Sequence, residues 1–183
     1  MSPTAWGVAS LTALGAGLVA GVLAWRAPRR LGGVVLGLVA AAGGIAAVAP
    51  EIGLPDPWLR ALLVTVAAGC AVSGGGPLTT LVFDSVDRRE PGDRLRDAGQ
   101  VLRGGAWIGG LERLAVFATL VAGWPEGLAV VLAVKGLGRY PELRAAEEGA
   151  RTGAAERFII GTLVSVLWAA ACAGVVVLVL GTA

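Results

Sequence analysis

The sequence predicts an all-α fold, a polytopic transmembrane helical bundle with six spans. Two observations support this prediction. The first is composition: 56% of the 183 residues are hydrophobic and 15% are charged, and the apolar residues form blocks longer than a soluble core needs. The second is that the basic residues occupy alternate gaps between those blocks. We expect one transmembrane domain, residues 1–183, with a lipid bilayer as its solvent.

Five apolar runs have or approach spanning length, and a sixth is shorter. A hydrocarbon core of ~30 Å needs about 20 helical residues. The run 127–140 covers only about 20 Å at ~1.5 Å per residue, so it is a tilted span, a span of a thinned membrane or a re-entrant piece. The predicted spans are 5–24, 31–49, 58–83, 104–123, 127–140 and 158–180.

The positions of the basic residues predict the orientation of these spans. Lys and Arg in short loops stay in the cytoplasm, and the loops 50–57 and 124–126 carry only acids. We therefore expect both termini outside, a cytoplasmic loop at 84–103 with helix around 93–102, and a first run that is retained rather than cleaved. The thirteen cytoplasmic basic residues, of fifteen, are Arg26, Arg29, Arg30, Arg88, Arg89, Arg94, Arg96, Arg103, Lys135, Arg139, Arg144, Arg151 and Arg157.

Small residues and tryptophans indicate how the helices pack. Glycine pairs four residues apart predict close helix crossings within the bundle, and a homodimer seam remains an alternative. The pairs are Gly17 with Gly21, Gly33 with Gly37, and Gly105 with Gly109. Five tryptophans, Trp6, Trp25, Trp58, Trp107 and Trp124, lie near predicted helix ends, at the headgroup level. We expect the sixth, Trp168, to pack within the last span.

The third run contains Ser73-Gly-Gly-Gly-Pro77. Glycine does not stiffen a helix, and proline removes a backbone donor. We expect the helix to be broken or kinked at Gly74, Gly75, Gly76 and Pro77. Two interpretations remain open: unwound backbone that lines a cavity, as in transporters, and a simple kink or a shift of the membrane boundary.

No motif for a metal, a cofactor or a disulfide is present. The chain has no histidine, the commonest metal ligand and the best proton carrier near neutral pH. Cys70 and Cys172 each lie alone in an apolar run, which predicts small buried packing residues. A single Asp84-Ser-Val-Asp87 is too weak to predict a metal site, so we expect none. The mixed charge of the loop 84–103 disfavours nucleic-acid binding.

An acid and a base lie side by side in the fourth run. Charges at membrane depth are costly and usually face the bundle interior or a water-filled cavity. Glu112 lies about 8 residues, or ~12 Å, from the cytoplasmic entry. The spacing of Gly105, Gly109 and Glu112 places the carboxylate on the inward glycine face, with Arg113 beside it. We therefore expect both side chains to contact other helices.

The topology places further polar residues at the same depth. Lys135 and Arg139 lie one helical turn apart, and Glu142 shares their face only if the helix continues through Pro141, which proline geometry disfavours. The predicted cluster is Asp84, Glu112, Arg113, Lys135, Arg139, Tyr140, Glu142, Glu156 and Arg157. Two interpretations are open: an ion-pair network that fixes helix register, and a pocket for an anionic headgroup, a phosphate or a coupled proton.

Three segments carry a resemblance to a known family. They are Gly109-Gly-Leu-Glu-Arg113, Ala133-Val-Lys-Gly-Leu-Gly-Arg-Tyr-Pro-Glu142 and Glu156-Arg-Phe-Ile-Ile-Gly-Thr162. Together they resemble the C-terminal half of a family of uncharacterised bacterial and phage-associated membrane proteins, over about residues 104–171. Members of that family begin with a segment that carries His and Asp, which this chain lacks. The resemblance implies a bacterial inner-membrane protein, draws attention to Gly161 beside the charged residues, and implies no known reaction.

Three functions agree with these patterns. The first is binding or transport of an anionic ligand or lipid headgroup, with Arg113, Lys135, Arg139 and Arg157 as anion partners. The second is a non-catalytic scaffold or assembly partner, as a homo-oligomer or with another membrane protein, for which glycine-rich faces suffice. The third is an enzyme acting on a lipid phosphate or polyprenyl phosphate, with Glu112 or Glu156 as the base. We rank the enzyme last.

Overall fold

The computed structural model describes residues 2–49, 51–87, 105–148 and 154–181. These ranges are mostly helical and contain no strand, which confirms the predicted all-α class. The helices are α1 (Pro3–Ala24), α2 (Pro28–Val48), α3 (Pro57–Asp87), α4 (Gly105–Val121), α5 (Gly127–Glu148) and α6 (Ala154–Leu180). The helix predicted around 93–102 lies outside the described residues.

Four helices, α1, α2, α3 and α6, are long and apolar enough to cross a membrane. The described part of α4 has 17 residues and contains Glu112 and Arg113, while the C-terminal half of α5 is polar. The apolar helices are consistent with a bilayer environment. That α4 and α5 also cross the bilayer remains a prediction.

The long helix α3 lies at the centre of the bundle. It packs against α1, α2, α4 and α6, while α5 packs mainly on α4 with a smaller contact to α6. Small side chains line the centre: Ala67, Cys70 and Ala71 of α3 and Cys172 of α6 are fully buried. Both cysteines are free, so the prediction that they are buried packing residues is confirmed.

The segment between α2 and α3 folds against the start of α1. The Ser2 side chain caps α1 by accepting a hydrogen bond from the Ala5 amide at 3.2 Å. The Gly53 amide donates to the Pro3 carbonyl at 3.3 Å, and the buried Leu54 lies over Gly7. The start of α1 and the turn before α3 therefore share one end of the bundle, as successive antiparallel helices require.

The glycine pairs do not all lie at helix crossings. A Cβ at Gly17 would be 3.6 Å from Leu38, and one at Gly21 would be 2.7 Å from the Ser73 hydroxyl, so the crossing predicted there is confirmed. A Cβ at Gly33 or Gly37 would meet no atom of the described chain within 4 Å. The crossing predicted within the bundle at that pair is wrong, because this face of α2 points outward. The crossing predicted for Gly105 involves a side-chain position outside the described ones.

The predicted break in the third span is wrong, and the alternative of a kink or a shifted membrane boundary stays a prediction. The helix α3 runs without interruption from Pro57 to Asp87, with Pro77 inside it. Proline has no amide to bond the carbonyl four residues earlier, which is that of Ser73. The Trp25 indole Nε1 donates to this carbonyl at 3.0 Å. The helix therefore continues because a side chain of another segment replaces the missing backbone donor.

The expectation that the helix would not continue through Pro141 is also wrong. The helix α5 has 22 residues, from Gly127 to Glu148, and contains Pro141. Both Pro141 and Leu137, whose carbonyl loses its helical partner, lie on an exposed face. An exposed position leaves room for the proline ring, and a freed carbonyl on such a face can bond to solvent or headgroups. The helix therefore extends past the predicted span 127–140, and the crossing of the bilayer by that span stays a prediction.

We expect Trp25→Phe to destabilise the protein by about 1 kcal/mol, because the Ser73 carbonyl loses its donor. In a Pro77→Ala background a backbone amide bonds that carbonyl, so Trp25→Phe should then have little effect. Thermal unfolding of the four proteins in detergent measures the coupling. Trp58→Phe, at another exposed tryptophan, is the control. Equal losses in both backgrounds would contradict the role given to Trp25.

Candidate functional site

One turn of α3, residues 70–73, accepts hydrogen bonds from side chains outside α3; we term it the acceptor turn. Its four successive carbonyls each receive one N–H donor. The Cys70 carbonyl accepts from Trp168 Nε1 at 3.1 Å, Ala71 from Arg113 Nε at 3.0 Å, Val72 from Arg113 Nη2 at 2.8 Å and Ser73 from Trp25 Nε1 at 3.0 Å. The turn therefore joins α3 to α4, to α6 and to the C-terminal end of α1.

The three glycines that follow the acceptor turn make room for these donors. A Cβ at Gly74 would lie 2.5 Å from the Trp168 ring, and one at Gly76 would lie 2.9 Å from the Trp25 ring. A Cβ at Gly75 would overlap Arg113 Cδ and lie 2.6 Å from its Nε. Each glycine thus allows one donor to lie against the α3 backbone.

Arg113 is a buried cation held by backbone carbonyls. Its side chain is 4% exposed, and within the described ranges its hydrogen bonds go to α3 rather than to a carboxylate. It also interacts electrostatically with its neighbour Glu112. The forked guanidinium suits two successive carbonyls, which a lysine could not contact in the same way. Arg113 therefore fixes α4 against α3.

Glu112 points to the other side of α4 and forms an ion pair with Lys135 of α5. Both side chains are partly exposed, 19% for Glu112 and 15% for Lys135. The Lys135 ammonium also lies 6.0 Å from the ring centroid of Phe158 in α6. Lys135 is thus placed where α4, α5 and the start of α6 meet.

A second contact between charge and aromatic ring joins α6 to α3. The Arg157 guanidinium carbon lies 5.0 Å from the Phe83 ring centroid, within cation–π range. A Cβ at Gly161 would be 3.4 Å from the same ring, so this glycine allows α6 to approach α3. Asp84, next to Phe83, is half-buried and takes part in further interactions, as Arg157 does.

The structure resolves the predicted cluster into three sets of contacts. Arg113 lies at the acceptor turn, and Glu112 pairs with Lys135. Arg157 lies over the ring of Phe83, the residue that precedes Asp84. The remaining members are the half-buried Arg139, the exposed Glu156, Tyr140 at 59% exposed and Glu142, whose side chain lies outside the described ones. The expectation that Glu112 and Arg113 contact other helices is met by both residues, but on different sides of α4.

Sequence reasoning missed Trp25 and Ser73 as parts of this arrangement. Trp25 was expected only at the headgroup level, and the glycines only as weak points. One signal was available: Pro77 inside an apolar run leaves the carbonyl of Ser73 without its helical donor and so requires one from elsewhere. The prediction that Trp168 packs within the bundle is confirmed, since it is 2% exposed.

These features define a helical protein with membrane-compatible helices and two separate polar contacts of α4. Within the described ranges, no group of three or more His, Cys, Asp or Glu could hold a metal ion. No protein-family model, curated protein or solved structure matches the chain. The family resemblance over residues 104–171 stays a prediction, and the function is inferred from the residues and their geometry.

Proposed function

We propose that the protein crosses the bacterial inner membrane six times, with both termini outside, and binds an anionic lipid headgroup where α4, α5 and α6 meet. The observation that supports this site most directly is the position of Lys135. It lies in the α4–α5 contact, faces Phe158 of α6 and stays partly exposed. A phosphate group is the chemistry that such a site would recognise.

The charge balance around Glu112 favours an anion. One carboxylate, that of Glu112, pairs with Lys135 and interacts with the buried Arg113. Two cations interact with one acid, so Glu112, Arg113 and Lys135 together carry a net charge of +1. In a medium of low dielectric constant, such a surplus attracts an anion more strongly than it would in water.

Further positive groups extend this site toward the membrane surface. Arg139 lies one helical turn after Lys135 on α5, so the two basic residues share a face of that helix. The N-terminus of α6, which begins at Ala154, adds partial positive charge, and Glu156 in its first turn offsets part of that charge. Basic groups between helices on the cytoplasmic side are the usual recognition elements for anionic headgroups.

Outward apolar faces favour a second candidate, a scaffold or assembly partner. Gly33 and Gly37 leave an open strip on α2, and Val134 and Leu137 of α5 are largely exposed. Such faces suit lipid or another membrane protein equally. Co-purification from native membranes tests this candidate. We do not propose the lipid-phosphate enzyme, because Glu112, one of its expected bases, is engaged by Lys135.

We expect Arg139→Gln to weaken phosphatidylglycerol binding about fivefold, since one Arg near an anionic headgroup contributes about 1 kcal/mol. Purified protein is titrated with phosphatidylglycerol, phosphatidylcholine and inorganic phosphate, and bound species are counted by native mass spectrometry. Tight binding of inorganic phosphate would identify a soluble anion as the ligand instead of a headgroup.

The matched control is Arg26→Gln, which removes the same charge in the turn between α1 and α2. This turn shares the end of the bundle with the C-terminus of α3, because Gly32 packs near Leu81. Within the described residues, neither α1 nor α2, which flank the turn, packs substantially against α5. We expect Arg26→Gln to change phosphatidylglycerol binding by less than about twofold. Equal losses for both variants would mean general surface attraction and would refute a local site.

A further inference from the structure

Among the described residues, Lys135 pairs with the carboxylate of Glu112 and stays partly exposed. Its ammonium contacts Glu112 from α4, and Phe158 of α6 lies 6.0 Å away on another side. Both members of the ion pair are partly exposed, at 15% and 19%, so an incoming group can reach the pair without unfolding a helix. The ion pair is therefore accessible, unlike Arg113, which is buried among carbonyls.

The Glu112 carboxylate uses few of its hydrogen-bond acceptor positions among the described residues. Among the described residues its carboxylate accepts a hydrogen bond from Lys135, whereas a carboxylate offers about four acceptor positions. A phosphate that took its place would bring three oxygens and could bond Lys135, while Arg139, which makes interactions of its own, lies one turn further along α5. Lys135 therefore keeps an anionic partner when the phosphate replaces the Glu112 carboxylate.

The helix that carries Lys135 is the least packed of those described. It contacts α4 and, to a smaller extent, α6, and most of its apolar residues after Leu128 are exposed. The Glu112–Lys135 ion pair is a polar contact between α4 and α5. Removal of Glu112 from this pair would therefore loosen α5 from α4.

We propose that Glu112 is a built-in competitor for the anion: the ligand's phosphate binds by displacing the Glu112 carboxylate from Lys135. This inference rests on the proposed function and adds its regulation. Glu112 thereby sets the affinity of the site, and ligand binding shifts α5 relative to α4. The fixed bonds of Arg113 to α3 keep α4 in place while this exchange occurs.

The test is a pair of substitutions with opposite expected signs. Glu112→Gln keeps the shape but cannot compete as an anion, so phosphatidylglycerol in nanodiscs with phosphatidylcholine should bind about fivefold more tightly. Lys135→Gln should weaken binding by a similar factor. Inorganic phosphate serves as the soluble probe, which separates a headgroup ligand from a free anion. Glu126 is an exposed acid at the α4–α5 turn. Glu126→Gln is the charge-matched control and should leave phosphatidylglycerol binding unchanged.

The outcomes separate the two proposals. If Arg139→Gln weakens binding while Glu112→Gln leaves it unchanged or weaker, the competitor role is overturned and the binding site stands. If none of the basic-residue variants changes binding, the proposed function fails with it. Should Glu112→Gln fold poorly, Glu112→Asp, which shortens the side chain and withdraws the carboxylate, must raise affinity in the same direction, and unchanged or weaker binding for that variant also overturns the competitor role.

Discussion

Replacing Gly75 with alanine is expected to destabilise the protein by about 2 kcal/mol. Alanine raises helix propensity by ~1 kcal/mol, but the new Cβ would overlap Arg113 Cδ and approach its Nε to 2.6 Å. Arg113 cannot move away without losing its bonds to the Ala71 and Val72 carbonyls. Overpacking of this degree costs about 3 kcal/mol, so the clash exceeds the propensity gain. Unfolding of the purified protein in detergent measures the difference.

The matched control is Gly37→Ala on the outward face of α2. A Cβ there meets nothing of the described chain within 4 Å, so only the propensity gain remains and stability should rise by up to ~1 kcal/mol. The two substitutions are chemically identical and should have opposite signs. A stabilised Gly75→Ala would contradict the position assigned to Arg113.

Arg113→Ala is expected to be the most destabilising single change, at about 3 kcal/mol. It removes two charge-assisted hydrogen bonds, each worth about 1 kcal/mol in a membrane, and it leaves a cavity over Gly75. Removal of a buried charge offsets part of this loss. Glu112→Gln, one residue away in a partly exposed pair, should cost less than about 1 kcal/mol. Thermal unfolding of both variants gives the comparison.

The double variant provides the stricter test of Arg113. Once its side chain is gone, a methyl group on Gly75 occupies part of the cavity, so Gly75→Ala should become neutral or stabilising in the Arg113→Ala background. A coupling of about 2 kcal/mol is expected for two groups in direct contact. If the two losses simply add, the guanidinium does not lie on Gly75.

The fold class could be predicted because it depends on composition and periodicity. Long apolar blocks require helices when lipid is the solvent, since every backbone group must be satisfied within the segment. The helix boundaries at prolines could not be predicted, because Pro77 and Pro141 differ only in their surroundings. Pro77 is compensated by Trp25 of another segment, and Pro141 by an exposed face.

The candidate site was predicted in part. Charge and depth indicated that Glu112 and Lys135 would meet, as they do. The sequence could not reveal that Arg113 turns to the opposite side of its helix, because neighbouring residues differ by about 100° around a helix and either face was apolar. The sequence also could not reveal that each of three consecutive glycines contacts a different side chain, because those contacts depend on how α1, α4 and α6 surround α3.

The acceptor turn also bears on biosynthesis. An arginine-bearing segment partitions poorly from the translocon into lipid on its own. Here the carbonyls that receive Arg113 belong to an earlier segment, α3, which has already been made when α4 emerges from the ribosome. The α3 carbonyls that bind Arg113 are therefore synthesised before Arg113 itself. A circular permutant that synthesises α4 ahead of α3 should accumulate poorly in cells.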